Sequence, residues 1–349
     1  MKRIFSFLLA FITSISLASC GKTGREKFTD YSFDYFDTVT MIVGYEKSKD
    51  VFDENCKEIK KRLEEYHKLY NIYNTYEGVN NLCMLNKVSE GSHSELEVDD
   101  KIIDMLTYAK EMHTATNGNI NVAMGSVLSI WHNYRESGIK DPLSAELPPI
   151  DILRSASDHT DIDDVIIDKE NKTVLLSDPE MKLDVGAIAK GYAVEQVAQW
   201  MLSEGIEGYS LNVGGNIRIV GKKPDRTKWK VGIENPDTSD TENPYIQYLT
   251  IENVSVVTSG VYQRYYEVDG KKYHHIIDPE TLMPGENFLS VTVVCQSSAL
   301  GDALSTALFN MTYEEGVALL EDYTDAEALW VFPDGQIKRS LRFNKFCIE

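Results

Sequence analysis

From residue 164 onward, short β-prone runs alternate with turn signals, and this pattern most constrains the fold. Asp269-Gly270 and Asp334-Gly335 sit inside strand-like runs at 261–278 and 326–339. Asp-Gly favours a two-residue hairpin turn, because both positions must accept positive φ. Glu170-Asn-Lys172 likewise turns Val165-Ile-Ile into Val174-Leu-Leu. Further strands are predicted at 209–220, interrupted by Gly214-Gly215, and at 229–233, 246–251, 255–258 and 289–295. Hairpins join antiparallel strands, whereas parallel ones need long crossovers. The first half reads differently. Residues 51–70 and 99–116 carry apolar positions at helical spacing, and 121–131 begins another helix. Residues 31–45 read as one strand, 77–81 as a loop, and the proline-containing 142–161 as a link between subdomains. Helices are predicted again at 298–310 and 313–321. Helices early and hairpins late define an α+β fold with antiparallel sheets. No Gly-x-Gly-x-x-Gly follows a first strand and no P-loop is present, so a nucleotide site here is of another kind.

Charge narrows the function. Thirty-five Lys and Arg against 55 Asp and Glu give −20. Such a surface repels nucleic acid, and any anionic ligand must meet a local positive feature. At the N-terminus, Lys2 and Arg3 precede an apolar run from Ile4 to Ala18 and then Leu17-Ala-Ser-Cys20. That run falls short of the roughly 20 residues of a spanning helix and reads as a secretory signal. Leu-Ala-Ser-Cys resembles the lipobox of bacterial lipoproteins, which implies lipidation of Cys20, a tether at 21–30 and an extracytoplasmic body anchored to a membrane. Cys56, Cys83, Cys295 and Cys347 remain. One or two disulfides or isolated thiols suit them equally, with three possible pairings if all join.

Three stretches carry candidate chemistry. Asp184-Val-Gly-Ala-Ile-Ala-Lys-Gly-Tyr-Ala-Val-Glu195 places a carboxylate, glycines and Lys190 where a strand meets a helix. Free N–H groups at such a junction suit an anion, although tight packing explains the glycines equally well. Asp302 and Thr306 share a helix face, with Ser305 beside them. Those hard oxygens suit Mg²⁺; equally, Asp302 complements the helix dipole and Thr306 bonds its own backbone. In Tyr273-His-His-Ile-Ile-Asp278, alternation lets only one histidine point into a given site, where it is a candidate base.

Together with Leu211-Asn-Val-Gly-Gly-Asn-Ile, Phe36-Asp-Thr38 and Tyr73-Asn-Thr-Tyr76, these stretches resemble, in order and separation, the ApbE family of FAD:protein FMN transferases. The resemblance covers nearly all of the chain after Cys20 and implies one T-fold-like α+β domain, 31–349, of two intimately packed subdomains with an FAD cleft between them. It implies Mg²⁺-dependent transfer of FMN from FAD to a threonine hydroxyl, with release of AMP. Carried over, the metal ligands are the Ala187 carbonyl, Asp302, Ser305 and Thr306, where Ser305 replaces an aspartate of some members. FAD contacts are Tyr76, the segment around Asn121, Asp184, Lys190 and Ile277, and His275 is the base. Partners would carry an Asp-x-x-[Ser/Thr]-Gly-Ala-Thr-like acceptor, as in membrane redox complexes. The alternatives are a metal-dependent FAD pyrophosphatase and a non-catalytic flavin-binding lipoprotein. Two positions depart from the family: Ile120-Asn-Val-Ala123 stands for Phe-Asp-Pro-Thr, and Asp278-Pro-Glu-Thr-Leu282 for Asp-Pro-x-Thr-Gly, with the glycine displaced to Gly285.

Overall fold

Hairpin chemistry and helical spacing together account for most elements of the structure, a computed structural model that describes residues 24–90, 94–262 and 264–348. The signal run and Cys20 lie outside the described residues. In chain order come β1 (Glu26–Tyr35), β2 (Thr38–Glu46), α1 (Lys49–Tyr70), α2 (Leu82–Ser89), β3 (Leu96–Glu97), α3 (Asp100–Ala115), α4 (Gly125–Lys140) and α5 (Ile150–Ser157). The middle holds β4 (Val165–Asp168), β5 (Thr173–Leu176), α6 (Ala189–Ser203), β6 (Tyr209–Val213), β7 (Asn216–Val220), β8 (Trp229–Glu234) and β9 (Tyr245–Ile251). Last are β10 (Ser255–Gly260), β11 (Tyr265–Val268), β12 (Lys271–His274), β13 (Ser290–Cys295), α7 (Ser298–Asn310), α8 (Tyr313–Leu320), β14 (Glu327–Val331) and β15 (Ile337–Arg339).

Eight strands form one antiparallel sheet in the order β1-β2-β6-β7-β10-β13-β14-β15. Successive strand residues point to opposite faces, so each strand feeds two cores. Ile42, Leu211 and Val220 pack with Phe52, Ile59 and Leu63 of α1 and with Val194, Val197 and Ala198 of α6. Their neighbours Val43 and Ile219 pack instead with Trp229, Val231 and Leu249 of the β8–β9 hairpin. The largest cluster joins α3, α7 and β13, and a fourth joins α4 to Tyr266, Ile277 and Leu282. The α+β expectation holds.

Several local expectations are corrected. Residues 31–45 are a hairpin rather than one strand: Phe36 and Asp37 turn with φ of 52° and 51°, pairing Tyr35 with Thr38. The turn lacks glycine or asparagine, the usual signal for that conformation. Residues 209–220 are also a hairpin. Gly214 and Gly215 form its turn at φ 56° and 84°, so the glycine pair closes a turn rather than interrupting a strand. Half of the expected tether is strand, since Glu26 to Asp30 pair with Glu46 to Ile42. The segment 142–161 contains α5, and α2 follows the loop directly, capped by Asn81. Cys56, Cys83, Cys295 and Cys347 are all free thiols.

Candidate active site

Helices α6 and α7 are held together at a glycine. A Cβ on Gly191 would lie 2.3 Å from Asp302 Cβ and 2.5 Å from the Ser298 carbonyl oxygen. Only glycine allows that approach. The Gly191 N–H donates to Asp302 Oδ2 at 2.7 Å, and Lys190 Nζ lies 3.4 Å from Oδ1. The free N–H that the sequence offered to an anion is therefore taken by the chain's own carboxylate, which α7 inserts at the start of α6. Asp302 is buried, with 5% of its side chain exposed.

Glu195, one turn further along α6, locks the other end of the contact. Its Oε2 accepts from Ser298 N–H at the start of α7 (2.6 Å) and from Arg218 Nε of β7 (3.1 Å). Ser298 Oγ in turn donates to Asn216 Oδ1. A buried carboxylate that caps a helix and pairs with a buried guanidinium costs several kcal/mol to break from one side, about 3–5. The position and rotation of α7 are thus fixed by β7 and α6.

That rotation presents a hydroxyl face. Ser259 Oγ, at the end of β10, lies 2.9 Å from Ser305 Oγ and 3.2 Å from Thr306 Oγ1. Ser305 also donates to its own backbone at Asp302 O (3.1 Å), whereas Thr306 does not, so the back-bonding considered for Thr306 falls on its neighbour. Ser259 was missed in the sequence because nothing local marks a strand-end serine. Among the described residues no group of three His, Cys, Asp or Glu side chains could hold a metal. One carboxylate with hydroxyls nevertheless fits Mg²⁺, which keeps several waters and takes further oxygens from a substrate phosphate. Asp302, Thr306, Ser305 and the Ala187 carbonyl in the turn before α6 would hold it. A resident Zn²⁺ finds no such ligand set here.

The two histidines divide as strand alternation requires. His274 is buried; its Nε2 donates to Gly285 O (2.8 Å) while Nδ1 accepts from Ile276 N–H (3.2 Å). It is a structural residue, and the displaced Gly285 supplies its partner. His275 Nδ1 lies 3.3 Å from the Arg264 carbonyl. Since a carbonyl only accepts, Nδ1 carries the proton and Nε2 keeps its lone pair. Burial first, then the Arg264 and Arg135 charges, push His275 down to about 3, so the ring is neutral at physiological pH.

Around it lies a cluster the sequence did not reveal. Arg135 Nη2 donates to His132 Nδ1 at 2.9 Å, and the His132 ring lies 5.1 Å from that of Tyr73. Arg135 is mostly buried, with 15% of its side chain exposed, and its nearest carboxylate, Glu136, is 3.9 Å away and exposed. Arg264, Arg135 and His132 all act on Asp184, whose pKa burial raises against them; its Oδ1 accepts from Gly186 N–H at 2.9 Å. These arginines supply the local positive field that an acidic protein needs for an anionic ligand. Lys190, expected to do so, is engaged by Asp302.

The remaining expected contacts are partly consumed by the fold. Tyr76 OH takes hydrogen bonds from Asn71 Nδ2 (3.2 Å) and pairs with His67 Nε2 (3.3 Å), which sets its ring beside the end of α1. Asn121 donates to Thr160 O (2.8 Å) and accepts from Ala123 N–H (2.9 Å), so its side chain is spent on the turn. A carboxylate could not donate to Thr160, which explains the amide at this departure from the family. Ile277 is buried against α4, bridged to Pro284, and its carbonyl accepts from Asn310 Nδ2.

A hard-oxygen face, a neutral imidazole and paired arginines on an antiparallel α+β frame define a protein built for a phosphate-bearing ligand. By its sequence the chain belongs to the ApbE family, whose profile matches residues 32–330. It is 34% identical over 253 residues to the FAD:protein FMN transferase of Klebsiella pneumoniae, covering 71% of this chain and 75% of that protein. It is 27% identical to that of Haemophilus influenzae over 99% of this chain and 98% of the relative. Among solved structures, the ApbE protein of Thermotoga maritima aligns with a TM-score of 0.79 at 27% identity, covering 93% of this chain and all of that one. The flavin transferase ApbE of Vibrio cholerae aligns with 0.73 at 25%, covering 92% and 99%.

Proposed function

We propose that this protein transfers FMN from FAD to a threonine hydroxyl of a partner protein, releasing AMP, with Mg²⁺ as cofactor. The observation that carries the reading is the joint presence of the Asp302–Ser305–Thr306 face and a neutral His275. Ser259 of that face, at the end of β10, and Arg264, directly before β11 and with its carbonyl on His275, are close in sequence. His275 Nε2 takes the proton as the threonine oxygen bonds to the flavin-side phosphorus; the phosphoanhydride bond breaks and AMP leaves. A neutral threonine is a weak nucleophile, so a base with a free lone pair is what the step requires. Bound at Asp302 and Thr306, Mg²⁺ would supply Lewis-acid stabilisation of the phosphate charge. Tyr76, Asp184 and the backbone around Asn121 orient the dinucleotide. The target carries an Asp-x-x-[Ser/Thr]-Gly-Ala-Thr-like acceptor, and the enzyme is anchored outside the cytoplasm through lipidated Cys20.

Incubation with FAD, Mg²⁺ and an acceptor fragment, followed by detection of a fluorescent protein band and AMP, tests this. Free FMN with AMP and an unlabelled acceptor would replace the reading with FAD hydrolysis. Bound FAD with neither product would leave only a flavin-binding protein.

A further inference from the structure

The strands that lead to the site carry, at their opposite ends, a basic surface that the transfer reaction does not use. Arg25, Lys222, Lys223 and Arg226 line an open cavity of about 700 Å³, together with Glu207 and Glu252. Lys222 pairs with Glu252 at 3.3 Å. Lys223 lies over the Trp229 and Tyr45 rings at 5.1 and 5.8 Å, with Asp225 acting on it as an opposite charge and Lys27 as a like one. In a chain of net charge −20, cations outnumbering carboxylates in one lining is a local reversal of sign.

The chain itself says what this surface meets. The described residues begin at Gly24, and Arg25 of the cavity precedes β1 directly. The residues before it, with Lys2, Arg3, the apolar run and Cys20, join the described chain beside this surface. Topology then fixes where the cleft lies. Glu26 pairs with Glu46 at the basic end of the β1–β2 ribbon, and Tyr35 pairs with Thr38 at the other. Gly214 N–H donates to Val39 O beside that second end, and β7 runs from Asn216 at the α6–α7 contact to Val220, just before Lys222 and Lys223. At about 3.3 Å per residue, a strand the length of β1 spans roughly 30 Å.

We propose that this surface rests on anionic phospholipid headgroups and holds the FAD cleft facing away from the bilayer, at the far end of the β1–β2 ribbon. The orientation rests on the lipid-anchor reading above, whereas the surface can be tested without the anchor. Each basic residue near an anionic membrane strengthens binding about five-fold, and salt screens the effect. An acceptor must then present its threonine at that height rather than at the membrane face.

The chain from Gly24, which contains all four apolar clusters, is mixed with vesicles of phosphatidylcholine alone or of equimolar phosphatidylcholine and phosphatidylglycerol. The expected result is co-sedimentation with the anionic vesicles only, lost in high salt. The charge-reversed K222E/K223E/R226E variant should lose it while keeping transfer activity in solution, since none of these residues belongs to the catalytic machinery. Absence of binding to anionic vesicles, or equal binding by the variant, overturns the proposal. Energy transfer from bound flavin to a headgroup dye, in the lipidated full chain on nanodiscs, reads the height. Flavin at contact distance from the headgroups overturns the orientation. Failure of the anchor reading shows separately, as a full chain extracted from membranes whose Cys20 carries no lipid mass, and failure of the transferase reading as absent flavin transfer.

Discussion

His274 and His275 are adjacent, one tied into the core by both ring nitrogens and the other the base of the proposed reaction. His274→Ala leaves Gly285 O and Ile276 N–H without partners in the core, each worth about 1–3 kcal/mol, so its loss should lower thermal stability. His275→Ala should instead leave the melting temperature nearly unchanged and FAD binding intact while reducing transfer by about 10²–10⁴. Wild-type transfer by that variant would remove His275 from the mechanism. The loop beside them holds a second contrast. Leu282 adopts φ 60°, the left-handed region, at the position where the family usually has glycine. The strain is retained because its side chain is buried against α4 and its carbonyl accepts from Trp131 Nε1 at 2.9 Å. Left-handed backbone costs about 1–2 kcal/mol and burial of leucine contributes about 1.5–3. Leu282→Gly loses the burial and relieves the strain, whereas Leu282→Ala loses only the burial. Glycine should therefore be the milder change in a urea titration, and the reverse order would refute the strain. The sequence showed that glycine was displaced, but it could not show that leucine had accepted the glycine conformation.

Helices α6 and α7 act as one element. Gly191→Ala forces a methyl into Asp302 and the Ser298 carbonyl, and overpacking of this kind costs about 1–3 kcal/mol. Because the clash falls on the Asp302 Cβ that carries the carboxylate, the apparent Mg²⁺ requirement for transfer should rise more than the KM for acceptor. Equal changes in both would assign Gly191 a purely structural role. The two motif stretches were legible because carboxylate, hydroxyl and glycine lie at short spacings within each. Their mutual contact was not, since Gly191 and Asp302 are far apart in sequence and only the fold brings them together. The same reason hid Ser259, Arg135, Arg264 and the Glu195–Arg218 pair. Among the secondary elements, the Asp-Gly hairpins were read correctly from turn chemistry, while the Phe36-Asp37 turn carries no such chemistry and was read as continuous strand.

Across the molecule, burial works against protonation of four histidines. Burial lowers His67, His132, His274 and His275, and among the described residues only His159, hydrogen-bonded to Asp178, is raised. For the four lowered groups the unfolded chain binds protons that the folded chain refuses, so stability falls as pH drops below the ordinary histidine value near 6.5. His275 contributes from there down to about 3. The melting temperature should decline between pH 7 and pH 5, and less steeply in His275→Gln; an identical slope would mean that His275 is more readily protonated than its surroundings imply. Lys190 draws a last consequence from the same balance of charge. Its ammonium stands 3.4 Å from Asp302 Oδ1, so the buried carboxylate has a cation beside it. In the proposed reading, Mg²⁺ held at Asp302 would take over this pairing and leave the ammonium, on its flexible stem, for the phosphates of the substrate. A single lysine would then guard the carboxylate beforehand and meet the substrate afterwards, so that loading with metal would prepare the site for its anion.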